Sequence, residues 1–163
     1  MKTVIEFLKN PDNQKKPVLE LIQTIQQYSS TDPNYLQVLK FVIRGLEFVE
    51  KHGLPLAKQI YYTDLREDGR PYTIQLIKEL RDHVPLLEFR INWEGFGAFR
   101  SVFFEYCRDN YQFLVFARAI IKQTTYSDDF EQIVQETEQL YEDFINNPEK
   151  YITLTGVDQN ETS

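Results

Sequence analysis

The sequence predicts an α+β domain, and three observations predict it. Between Pro17 and His52, apolar residues recur at helical spacing in two blocks separated by the breaker SSTDP. From Leu86 onward the period changes to two, as in a strand, and two further strand-like runs follow that are apolar on both faces, so the sheet is expected to be covered on one side and partly on the other. After Asp128 the helical period returns. An N-terminal helical hairpin packed on a small antiparallel β-meander, followed by a C-terminal amphipathic helix, satisfies that order, with the helices on one sheet face. The chain of 163 residues suits one domain, taken here as residues 1–154, with 155–163 a polar tail.

Taken in order, TVIEFL (3–8) reads as a short edge strand or a frayed helix. Pro17 is placed to begin a helix over 17–29, whose stripe is Val18, Leu21, Ile22, Ile25 and Tyr28. Asp32 can cap the next helix, 33–51, with Pro33 in its first turn and Gly53 free to take a left-handed C-terminal conformation. The stretch 54–85 carries the weakest pattern, with a turn at Glu67–Pro71 and a short helix expected over 73–82. Leu87, Phe89, Ile91 and Trp93 then alternate with polar residues, Glu94-Gly95 turns, and strands follow at about 97–107 and 111–120. Asp128 with Glu131 has the form of a capping box for a helix over 128–146, where Phe130, Ile133, Val134, Leu140, Tyr141 and Phe144 share one face.

Composition excludes several functions. Hydrophobic residues make up 42% and no apolar run is long enough for a membrane span, so no membrane partner is expected. The N-terminus lacks the pattern of a secretory leader, and the single Cys107, expected to be a small buried group near a strand end, forms no internal disulfide; both point to a cytoplasmic protein. His52 at a helix end and His83 in a loop do not make a metal set, and GFG lacks the Lys-Ser/Thr of a phosphate loop, so neither metal nor cofactor is expected. The net charge of −7 is uneven: residues 123–163 carry −9, while the rest is nearly balanced. That is no general nucleic-acid coat, but it leaves room for a local cationic site.

Arg90, Arg100, Arg118 and Lys122 sit within or just beyond the aromatic strands. Guanidinium groups gathered on such a sheet can clamp a phosphate by paired hydrogen bonds and stabilise charge developing on it. The alternative is that they are solvent-side residues paired with Glu88, Glu94 and Glu105. Register separates the two. A two-residue turn at Glu94-Gly95 sets Arg90 opposite Phe99, whereas one more loop residue sets Arg90 opposite Arg100 on a shared face.

The stretch IKELRDHVPLLEFRI, then GAFRSVFFEY, YQFLVFARAIIKQT and a helix, resembles the RelE/ParE/HigB-type toxins, especially their phage-derived branch, over residues 77–146. The helical hairpin stands in the place of that family's N-terminal helices. The resemblance implies the toxin of a type II toxin–antitoxin system, a ribosome-associated, metal-independent messenger-RNA endoribonuclease that uses the RNA's own 2′-hydroxyl as nucleophile. It implies as partners an antitoxin, such as a helix-turn-helix protein, and messenger RNA on the ribosome. By position, Arg90 matches the arginine of the family's "EFR" strand, Arg100 that of its "yR" strand, and Lys122 the first lysine of "KKT". Arg118 is a nearby candidate for substrate binding and Tyr126 for proton handling or stacking. Gln123 departs from the second lysine, and Tyr126-Ser127 stands where proline often follows. The alternatives are a non-catalytic interaction domain on the same fold and a gyrase-inhibiting member.

Overall fold

The computed structural model describes residues 1–123 and 128–154, so Tyr126 and the polar tail lie outside the described residues. Its elements are β1 (Lys2–Phe7), α1 (Pro17–Ser29), α2 (Pro33–His52), the single turn α3 (Leu54–Ala57), β2 (Tyr62–Leu65), β3 (Pro71–Ile74), β4 (Ile77–Glu79), β5 (Leu87–Trp93), β6 (Gly97–Arg108), β7 (Tyr111–Lys122) and α4 (Asp129–Asn146). Short 3-10 turns lie at Arg81–His83 and Pro148–Lys150.

Local chemistry explains both hairpin helices. Pro17 and Pro33 occupy first-turn positions, where a missing N–H costs nothing. Asp32 Oδ1 accepts from the Asn34 backbone N–H at 2.9 Å, closing the start of α2. At its other end Gly53 has φ +80° and ψ 163°, a positive-φ extended conformation rather than the left-handed helical one, and it feeds directly into α3.

The main sheet has five strands in the order β1-β7-β6-β5-β4. β1 runs parallel to β7, and the other pairs are antiparallel. The expected meander is thus its centre, β1 settles as a strand, and β2 and β3 form a separate hairpin. One face, carrying Phe89, Ile91, Phe99, Phe103 and Phe116, packs on Val18, Ile25, Val38 and Phe41 of α1 and α2. The other, carrying Val102, Phe104, Phe113 and Val115, packs on Ile133, Val134 and Phe144 of α4.

Helices therefore cover both faces, not one. The cause is in β6 and β7, whose residues are buried on both sides through Phe99–Phe104 and Phe113–Ala117 with few interruptions; a sheet apolar on both faces needs two covers. The helix expected over 73–82 is instead the end of β3, the whole of β4 and the start of a 3-10 turn. Asp128 makes no side-chain capping bond, because its φ of −83° and ψ of 1° are not the extended backbone that aims a capping oxygen. Cys107 is exposed rather than buried, since it lies beyond Phe104, the last buried position of β6. Among the described residues no helix is long and apolar enough to cross a membrane.

Candidate nucleic-acid interface

The loop between β5 and β6 has three residues, Glu94, Gly95 and Phe96, so Trp93 opposes Gly97 and Arg90 opposes Arg100. Arg100 in turn opposes Ile120, and Ala98 opposes Lys122. Side chains alternate along strands, so Arg90, Arg100 and Lys122 share the α4 face of the sheet. Gly97 makes that junction possible. Its φ is +109°, and a Cβ there would stand 2.4 Å from the carbonyl oxygen of Lys122.

Together these strands enclose a shallow depression of about 390 Å³ lined by Lys78, Glu88, Arg90, Asn92, Arg100 and Lys122, with Gln123 at its margin. Three of the predicted site residues thus meet. Arg118 does not join them, although it faces the same way. It opposes Val102, further along β7 toward α4, where its Nε donates to Glu136 at 3.3 Å and its Nη1 to the Ala117 carbonyl at 2.8 Å. Its neighbourhood is structural, and it does not line the depression. Tyr126 lies outside the described residues.

The cations are not equivalent. Arg100 Nε donates to Glu88 Oε2 at 2.5 Å, and Nη2 pairs with the same carboxylate. Glu88 is only 1% exposed, so this pair compensates a buried charge at the floor of the depression. The Phe130 ring covers the guanidinium at 3.5 Å, a cation–π contact from the first turn of α4. Of the pairings weighed from sequence, Arg100 with Glu88 is present; Arg118 pairs instead with Glu136, and Glu105 accepts from Gln112. Arg90 donates only to a carbonyl, that of Gln75, at 3.3 Å. Arg90, Lys78 and Lys122 form no ion pair among the described residues.

Local charge is accordingly positive within an acidic protein: among the described residues four cations line the depression against one carboxylate. Part of the negative charge of the C-terminal segment is engaged elsewhere. Glu136 holds Arg118, Glu131 and Glu138 flank His83, and Asp143 takes Lys150. Hydrogen bonds from Tyr151 and Lys150 keep the Asp143 carboxyl below the usual range.

Among the described residues no imidazole, thiol or phenol lines the depression. The nearby Tyr72 donates to the Asn92 carbonyl at 2.8 Å, and burial pushes its phenol up to about 12, too high for a ready proton carrier near neutrality. Among the described residues no group of three or more potential metal ligands forms. What the arrangement supplies is preorganised positive charge. Lys78 and Asn92 escaped the sequence reading: QLIKEL looked helical, which hid Lys78. The available signal was the DHVP turn, which allows IKE to fold back on LEF and set Lys78 opposite Glu88. Comparison with protein-family models, with curated proteins and with solved structures gives no significant match, and the site rests on its geometry.

Proposed function

We propose that the depression between β4, β5, β6 and the end of β7 holds a phosphodiester of RNA, and that the protein is a toxin-type endoribonuclease working without a metal. The observation that carries this reading is the direct opposition of Arg90 and Arg100, with Lys78 and Lys122 on the rim of the same depression. The helical hairpin, meander and final helix occur in the order the sequence resemblance implies, which supports it further.

In this reading the 2′-oxygen attacks the adjacent phosphorus and the 5′-oxygen leaves, giving a 2′,3′-cyclic phosphate and a 5′-hydroxyl. The extra negative charge on the equatorial oxygens faces Arg90, Lys122 and the outer edge of Arg100. Such fixed charges act without reorganising during the step. The proton leaving the 2′-hydroxyl passes to water or to a residue outside the described segment, and the 5′-oxygen takes one up.

The test is purified protein incubated with single-stranded RNA in excess chelator, with the new ends analysed, alongside induced expression and transcript mapping. Cyclic-phosphate and 5′-hydroxyl ends, lost by roughly 100-fold in Arg90→Ala or Lys122→Ala, support the reading. Folded protein that leaves transcripts intact, leaves growth normal and binds no RNA ends it.

A binding role without cleavage is the second reading, and a specific observation favours it. Arg100 already gives Nε and Nη2 to Glu88 and is covered by Phe130, which fixes its position, so the depression is better equipped to hold an anion than to follow a moving charge. RNA retention with no cleavage under any of these conditions selects it.

A further inference from the structure

A second and larger depression, about 810 Å³, adjoins the first and shares Lys78 and Arg90 with it. It runs over β4 toward the 3-10 turn Arg81–His83. Of the eight arginines, Arg44, Arg66, Arg70, Arg100, Arg108 and Arg118 all pair with a carboxylate. Arg81 and Arg90 form no ion pair among the described residues, and both line this second depression. An acidic protein that satisfies every arginine but two, and places those two in one concavity, holds unspent positive charge there.

Two of the three described acidic groups in the same wall have a basic neighbour. Glu79 takes Lys58 at 2.9 Å, which holds its carboxyl below the usual range, and Glu131 lies 3.4 Å from His83. Asp82 is the remaining carboxylate of the lining. Lys78 and Arg90 thus belong to both depressions, and Arg81 adds a cation to the second. A single bound phosphate needs only the first. Two adjoining concavities joined by shared cations fit a ligand with repeated anionic groups, and a flexible single strand can seat successive phosphates in both.

We infer that Arg81 and Arg90 form a second phosphate subsite, which seats the next phosphate of a single-stranded RNA whose reactive phosphodiester lies between Arg90, Arg100 and Lys122. This rests on the ribonuclease reading above. Arg81 acts as a binding residue, and its contribution grows with ligand length.

The experiment measures competition binding of 2′-O-methyl RNA, which lacks the free nucleophile and stays intact, as a dinucleotide and as a hexanucleotide across a salt series. The unmodified protein is expected to prefer the hexanucleotide by roughly tenfold or more, and Arg81→Ala to remove most of that preference while reducing the salt slope by about 0.7. Lys15→Ala, which removes an equal charge from an exposed site far along the chain, is expected to keep both values. An Arg81→Ala protein that keeps the full length preference overturns the subsite even if RNA is still cleaved, leaving the first depression standing alone. Failure of the unmodified protein to bind either oligonucleotide overturns both.

Discussion

Arg90 and Arg100 are direct cross-strand partners on one sheet face, yet only Arg100 has a carboxylate, the buried Glu88. Two like charges set opposite one another repel, so the pair persists because Glu88 neutralises one and solvent reaches the other. Removing Arg100 alone strands a buried carboxylate. Arg100→Met is expected to cost about 3 kcal/mol in urea unfolding, and the double variant Glu88→Met/Arg100→Met to recover most of it. If the double variant is no more stable than the single, Glu88 is not what Arg100 serves.

Arg90 and Lys122 offer cleaner probes, because neither neutralises a described carboxylate. Arg90→Ala and Lys122→Ala are expected to keep stability within about 0.5 kcal/mol while each lowers the salt dependence of RNA binding by about 0.7. Calorimetric melting and a salt titration measure the two quantities separately.

Gly97 ties the start of β6 to the end of β7. With φ at +109° and the Lys122 carbonyl 2.4 Å from an added Cβ, Gly97→Ala forces the two backbones apart. The expected cost is about 2–3 kcal/mol, and RNA affinity falls with it because Lys122 moves. A variant as stable as the unmodified protein would show that the junction yields easily.

Glu6 gives a pH signature with a definite sign. Burial raises its pKa most, Lys16 opposes the rise, and Glu50 adds to it. The folded chain therefore binds this proton more tightly than the unfolded chain does. The charged form weakens the fold at neutral pH, and that penalty fades as pH falls through the raised pKa. Glu6→Gln is expected to raise the melting temperature at pH 7 by on the order of 1–3 °C and to show no advantage at pH 4. Equal melting at both values would contradict the assignment.

The helical hairpin was legible because Pro17, Asp32 and Pro33 signal starts that need no tertiary help. The strand β5 was legible from alternation, and β6 and β7 from apolar runs set between the turns at Glu94-Gly95 and Asp109-Asn110, all to within two residues at their ends. Register was not. It depends on whether Phe96 belongs to the loop or the strand, and Phe96 is buried against α2 residues that local sequence cannot foresee. The segment 73–82 misled for a similar reason. Ile74, Leu76, Ile77 and Leu80 fall near helical spacing, but Ile74, Leu76 and Ile77 enter one core from two short strands and the link between them. Once the register is in place, Arg90, Arg100 and Lys122 line one depression, and Arg118 turns away toward Glu136. TVIEFL stayed ambiguous because its partner strand lies far along the chain.

That distant partner has a consequence for how the molecule is made. Thr3 and Gln112 share a hydrogen bond across 109 positions, and every rung joining β1 to β7 spans a similar distance. During translation β1 emerges with no strand to join, and this edge stays open until Phe116 leaves the ribosome. Lys122 follows six positions later, so a nascent chain that has just acquired its last sheet neighbour still lacks one wall of the depression. Any activity of this surface therefore begins only after nearly the whole sheet has been synthesised.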